Sequence, residues 1–127
     1  MEKVLIIDDD QKNIFALTAM LKSKGYETVS APGAEEGLKI LSSSSGIGIV
    51  LLDMMMPDVD GYEMLSRIRS SEELEGLPVI AVTAQAMAGD REKCLAAGAD
   101  DYVSKPIDVD RLVALLTHYL NKADWKV

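Results

Sequence analysis

Two unbroken aliphatic runs, Val4-Leu5-Ile6-Ile7 and Ile47-Gly48-Ile49-Val50-Leu51-Leu52, each stop at aspartate, the first at Asp8-Asp9-Asp10 and the second at Asp53. Runs this short and this continuously apolar read as strands covered on both faces, as inside a parallel sheet, rather than as the alternating strands of a sheet that faces water. Parallel strands share a direction, so their carboxyl ends lie on one rim. If the two runs are neighbours, Asp8, Asp9 and Asp53 crowd a small volume, where like charges repel unless protons or a divalent cation compensate them. An Mg²⁺ site answers that requirement.

The rest of the chain repeats one unit. Ile14, Phe15, Leu17, Met20 and Leu21 keep helical spacing up to Lys24, and Gly25 supplies the stop. A short strand near Glu27 to Ala31 follows. Ala34, Leu38 and Leu41 then mark a second helix, which the serine run Ser42 to Ser45 ends as a solvated loop. Asp60 and Glu63 have capping-box separation ahead of a third helix carrying Met64, Leu65 and Ile68. Pro78 opens a fourth strand, Val79 to Val82, which Thr83 closes. Gly98 stops a fourth helix at Ala97, a fifth strand covers Asp101 to Ser104, and Asp108 caps a last helix striped by Leu112, Leu115, Leu116 and Tyr119. Strand and helix alternate five times, and each strand returns through a right-handed helical crossover to a parallel neighbour. The expected fold is α/β: a five-stranded, doubly wound parallel sheet flanked by five helices.

At 127 residues, nearly half of them apolar, the chain makes one domain, spanning 1–127, around one core. Its single cysteine, Cys94, excludes an internal disulfide and a cysteine-based zinc cluster, and is expected to be a small core residue. Thirteen basic residues against twenty-one acidic ones give a formal charge of −8, and no basic patch offsets it, so direct nucleic-acid binding is not expected. No apolar stretch is long enough to span a bilayer, and the amino terminus lacks a signal-peptide pattern. A soluble, cytoplasmic protein without membrane contact is the expectation.

In doubly wound folds, ligands bind beyond the carboxyl ends of the strands, where the strand order reverses. Four strands here end in chemically complementary groups: Asp8 and Asp9 after the first, Asp53 after the third, Thr83 at the fourth and Lys105 after the fifth. Asp10 is read as the cap of the first helix rather than as a metal ligand.

The acidic pair, the segment Asp53-Met54-Met55-Met56-Pro57-Asp58-Val59-Asp60-Gly61, the Thr83-Ala84 step and Lys105-Pro106, in this order and at these separations, resemble the receiver domains of two-component response regulators, CheY-like proteins. The resemblance covers essentially the whole chain and implies the flavodoxin-like strand order 2-1-3-4-5. It makes Asp53 the acceptor of a phosphoryl group from the phosphohistidine of a histidine kinase or a histidine phosphotransfer protein. It also implies a phosphoprotein of a two-component or phosphorelay pathway that promotes only its own phosphorylation and dephosphorylation. By the same resemblance Asp8, Asp9, Asp53 and the backbone carbonyl of Met55 hold Mg²⁺, Lys105 pairs with a phosphoryl oxygen, and the Thr83 hydroxyl bonds to another. Ala84 leaves room for the incoming group, and Met55 and Gln85 tune hydrolysis. Thr83 and Tyr102 form the switch, and the fourth helix, fifth strand and fifth helix form the output face, with Met87, Tyr102, Pro106 and Ile107 as contact residues.

Other readings stay open at this point. An Asp-x-Asp arrangement, Asp8 and Asp10, also occurs in haloacid-dehalogenase-type phosphatases, where Asp8 would be the nucleophile. A flavin-binding module shares the fold, although no phosphate loop follows the first strand. A receiver-shaped interaction module that is never phosphorylated is a third possibility. Met54, Met55 and Met56 are expected to pack or shape the loop, Asp58 to shape it too, and His118 to sit on the last helix away from the rim. The start at Met1 slightly favours a stand-alone regulator over the receiver section of a hybrid histidine kinase. The stretch Asp8 to Asn13 is similar to one found in many hybrid-kinase receivers.

Overall fold

The computed structural model describes residues 2–43, 46–55, 61–83 and 89–124. Within them the elements alternate as β1 (Lys3–Ile7), α1 (Gln11–Ser23), β2 (Thr28–Ala31), α2 (Ala34–Ser43), β3 (Ile47–Asp53), α3 (Gly61–Ser70), β4 (Val79–Thr83), α4 (Asp90–Ala96), β5 (Asp101–Ser104) and α5 (Val109–Asp124). The five strands form one parallel sheet in the order β2-β1-β3-β4-β5. β1 and β3 are adjacent, with Ile7 level with Leu52, so the residues that follow each strand emerge side by side.

Strand composition explains this placement. Val4, Ile6, Ile49, Leu51, Ile80, Val82 and Val103 bury one face of the sheet against Leu17 and Leu21 of α1 and Leu112, Leu116 and Leu120 of α5. Leu5, Ile7, Val50, Leu52, Val79 and Ala81 bury the other against residues of α2, α3 and α4, including Leu41, Leu65, Ile68 and Cys94. Each fully buried Leu or Ile contributes about 1.5–3 kcal/mol, so the central strands hold the sheet from both sides. α2 comes close to β1 because position 37 is glycine: a Cβ there would meet Ile7 Cδ1 at 2.6 Å.

Helix ends follow local chemistry. Asp10 caps α1, its Oδ1 accepting from the backbone N–H of Lys12 at 3.0 Å and of Asn13 at 3.4 Å. Asp108 caps α5 in the same way through Asp110 and Arg111. After α4, Ala97 forms the C-cap and Gly98 takes φ +118°, a left-handed turn that a residue with a Cβ resists. The second helix corrects the sequence reading. It runs through Ser42 and Ser43, whose hydroxyls donate back to the carbonyls of Leu38 and Lys39 and so stay within the helix instead of opening a loop. Ser44, Ser45 and the Asp60 cap lie outside the described residues.

Arg69, on the last turn of α3, holds the amino-end rim. Its guanidinium donates to the carbonyls of Gly98 (2.8 Å), Glu75 (2.9 Å) and Leu77 (2.7 Å) and to Asp100 Oδ2 (2.8 Å). The same Asp100 oxygen accepts the Val79 N–H at 2.8 Å, so one cation joins three segments to the start of β4.

Candidate functional site

The carboxyl-end rim gathers the predicted groups. Asp53 is the last residue of β3, and Asp8 follows β1 directly; both are almost fully buried, whereas Asp9 is exposed. One carboxylate oxygen from each of Asp8, Asp9 and Asp53 lies within 4.8 Å of the others, the one such cluster among the described residues. Oxygen-only donors from three carboxylates, with room left for water, suit Mg²⁺ by their chemistry.

The partners of each carboxylate are specific. Asp8 Oδ1 accepts the Asp10 N–H at 2.8 Å, and Asp8 Oδ2 accepts the side-chain amide of Asn13. Asp53 Oδ1 accepts the Met55 N–H at 2.9 Å. The Lys105 ammonium, on the turn after β5, lies 3.5 Å from Asp8 Oδ2 and 3.7 Å from Asp53 Oδ2. Burial pushes the Asp53 carboxyl above its ordinary value, opposed by the Met55 N–H, then supported by the negative charge of Asp8 and opposed by Lys105. Even with a lysine beside it, this carboxylate carries an unfavourable charge, which an additional cation would relieve.

Thr83 ends β4 and is buried, level with Ser104, and its carbonyl accepts the Lys105 N–H at 2.8 Å. The Lys105-Pro106 peptide is cis. Tyr102 is half-buried and level with Ala81, two residues before Thr83, so Tyr102 and Thr83 belong to the same face of the sheet. Of the methionines, Met54 is core and Met55 is about half exposed. Met56, Asp58, Ala84, Gln85 and Met87 lie outside the described residues.

Elsewhere, Cys94 is buried and His118 is exposed on α5, as expected. Ile107, with Asn13, Ala16, Leu17, Met20 and Val109, lines a groove of about 280 Å³ beside α1. Two residues gained no role from sequence reasoning, Asn13 at the acidic rim and Arg69 at the opposite one. Asn13 sits five residues after Asp8, a separation no helix or strand period brings together; only the turn from β1 into α1 makes the contact. Among the described residues no helix is long and apolar enough to cross a membrane.

Known proteins share this sequence and arrangement. Residues 4–117 match the response regulator receiver domain family. The polar-differentiation response regulator DivK of Brucella ovis is 35% identical over 122 residues, covering 96% of this chain and 98% of DivK. The receiver domain of the Francisella response regulator 1452 superposes with a TM-score of 0.88 at 27% identity, covering 97% of this chain and 99% of that one. The receiver domain of the sensor histidine kinase PA1611 from Pseudomonas aeruginosa PAO1, described with a magnesium ion coordinated in its active-site cleft, superposes with a TM-score of 0.85 at 32% identity, covering 94% of this chain and 98% of that one. With five parallel strands ordered 2-1-3-4-5 and an acidic pocket at their carboxyl ends, the chain belongs to the response regulator receiver domain family of two-component signal transduction.

Proposed function

We propose that Asp53 is the phosphoacceptor of this receiver, taking a phosphoryl group from the phosphohistidine of a histidine kinase or histidine phosphotransfer protein. The observation that carries this reading is the placement of Asp53: a buried carboxylate at the end of a central strand, beside two further carboxylates and 3.7 Å from a lysine ammonium. In the transfer, an Asp53 carboxylate oxygen forms a bond to phosphorus as the histidine nitrogen–phosphorus bond breaks. A carboxylate serves because the transition state is loose, so positioning and charge neutralisation matter more than nucleophilic strength.

Asp8, Asp9, Asp53 and the Met55 carbonyl would hold Mg²⁺, which supplies positive charge opposite the phosphoryl oxygens. Lys105 supplies the second positive charge, turning from the carboxylates to a phosphoryl oxygen. The Met55 N–H keeps Asp53 Oδ1 fixed, and Thr83, already joined to Lys105 through its carbonyl, offers its hydroxyl to another phosphoryl oxygen. Ala84 would leave space for the group. Inward movement of Thr83 couples to Tyr102 on the same sheet face, altering α4, β5 and α5 for a downstream protein in the cytoplasm. Met87, Tyr102, Pro106 and Ile107 are the contact residues of that face.

Residues 1–127 act as one receiver domain in this reading, supported by the family match along 4–117. The test is incubation with Mg²⁺ and a small-molecule phosphodonor, followed by intact-mass measurement. Wild type should gain one phosphoryl group and Asp53→Asn none; uptake by the variant would end the assignment. Met55 and Gln85 set the rate of hydrolysis, and because the Met55 side chain gives an attacking water no hydrogen bond, a phosphorylated lifetime of mere seconds would contradict that part.

A further inference from the structure

Asp8 is held by more than its charge partners, and the nature of those partners singles out one residue. Lys105 approaches Asp8 Oδ2 only to 3.5 Å, beyond the 2.7–2.9 Å typical of a charge-assisted bond, and it does so on a flexible four-carbon arm. Asn13 reaches the same oxygen with a short amide rooted in the first turn of α1, and its own backbone N–H is fixed by the Asp10 cap. The Asp10 N–H holds the other oxygen. In the proposed transfer Lys105 turns away to the phosphoryl group, so among the described residues Asn13 is the side chain that keeps its hydrogen bond to Asp8.

We infer that Asn13 is a positioning residue for the divalent cation: it fixes the direction in which Asp8 presents its oxygens and thereby sets the affinity of the acidic rim for Mg²⁺. The inference rests on the reading of that rim as a metal site. Groups that orient a metal ligand change affinity about 10–100-fold when removed, and a single neutral donor belongs at the lower end of that span.

The experiment is calorimetric titration of the full chain with MgCl₂, paired with thermal unfolding in EDTA. Asn13→Leu keeps the branched outline of the side chain but cannot donate, and should weaken Mg²⁺ binding about tenfold while the unfolding temperature in EDTA stays close to that of wild type. Asn13→Gln, which keeps the amide on a longer arm, should recover part of the loss. Gln11→Ala, on the same turn and without a contact to Asp8, should bind as wild type does. If Asn13→Leu does not fold, Asn13→Ala carries the same comparison. Unchanged or tighter binding by the non-donating variant, or a drop in unfolding temperature with no change in affinity, overturns the inference and leaves the metal site standing. Failure of wild type itself to bind Mg²⁺ overturns both.

Discussion

Replacing Asp53 with asparagine should make the metal-free protein more stable at neutral pH. The Asp53 and Asp8 oxygens lie within 4.8 Å of each other, which corresponds to roughly 3.5 kcal/mol of repulsion at an effective dielectric of about 20. Lys105, 3.7 Å from Asp53, returns roughly 4.5 kcal/mol by the same rule, but its side chain is 27% exposed and solvent screening removes about half of that. The charge terms therefore leave roughly 1 kcal/mol of net repulsion, and the burial of the ionised carboxyl adds to it in the same direction. Asparagine can still accept the Met55 N–H, and it offers Asp8 a donor in place of a repelling oxygen. A gain of about 1–2 kcal/mol follows, or about 4–8 °C in unfolding temperature for a domain of this size.

The pH dependence fixes the cause. Asp53 titrates above its ordinary value of 3.8, so between 3.8 and its raised value the native state binds more protons than the unfolded chain, and stability falls as pH rises through that window. The advantage of Asp53→Asn should be fully present above the raised value and should vanish below about pH 3.8. Urea unfolding of both proteins in EDTA across pH 3.5 to 8 measures it. A variant that is no more stable than wild type at pH 7, or an advantage that persists unchanged into acid, would refute the reasoning.

Two other outcomes are expected. Lys105→Met removes the one ammonium facing Asp8 and Asp53 among the described residues, and should slow phosphorylation by a small donor about a hundredfold; a rate within threefold of wild type would remove Lys105 from the chemistry. Arg69→Ala leaves three carbonyls and Asp100 without their cation and should cost about 3 kcal/mol in urea unfolding, with phosphorylation in the cold unaltered; a loss below 1 kcal/mol would show that water replaces the clamp.

The strands were legible because burial on both faces leaves no polar alternation to interpret, and the acidic rim was legible because Asp8 and Asp53 end two such runs. The neighbouring placement of β1 and β3 came from the family resemblance, since nothing local to either run states which strand lies beside it. The end of α2 was misread because serine satisfies a helical carbonyl four residues back as readily as it opens a turn. Asn13 and Arg69 were opaque for a common reason. Each acts on groups that meet only after the chain has folded: Asn13 across the turn into α1, Arg69 across 29 residues to Gly98 and 31 to Asp100.

The Arg69 clamp makes the two ends of the sheet unequal. Val79 and Asp100, at the foot of β4 and β5, are bonded to each other in both directions as well as to this cation. Any displacement that begins at Thr83 or Lys105 therefore starts at the end of a beam opposite its anchor, and tilting about that fulcrum delivers the largest travel to the helices beside the carboxyl-end rim. Loosening the anchor would let the same stimulus dissipate as sliding of the strands, so a receiver with intact chemistry could still fall silent through a fault at the far end of the molecule.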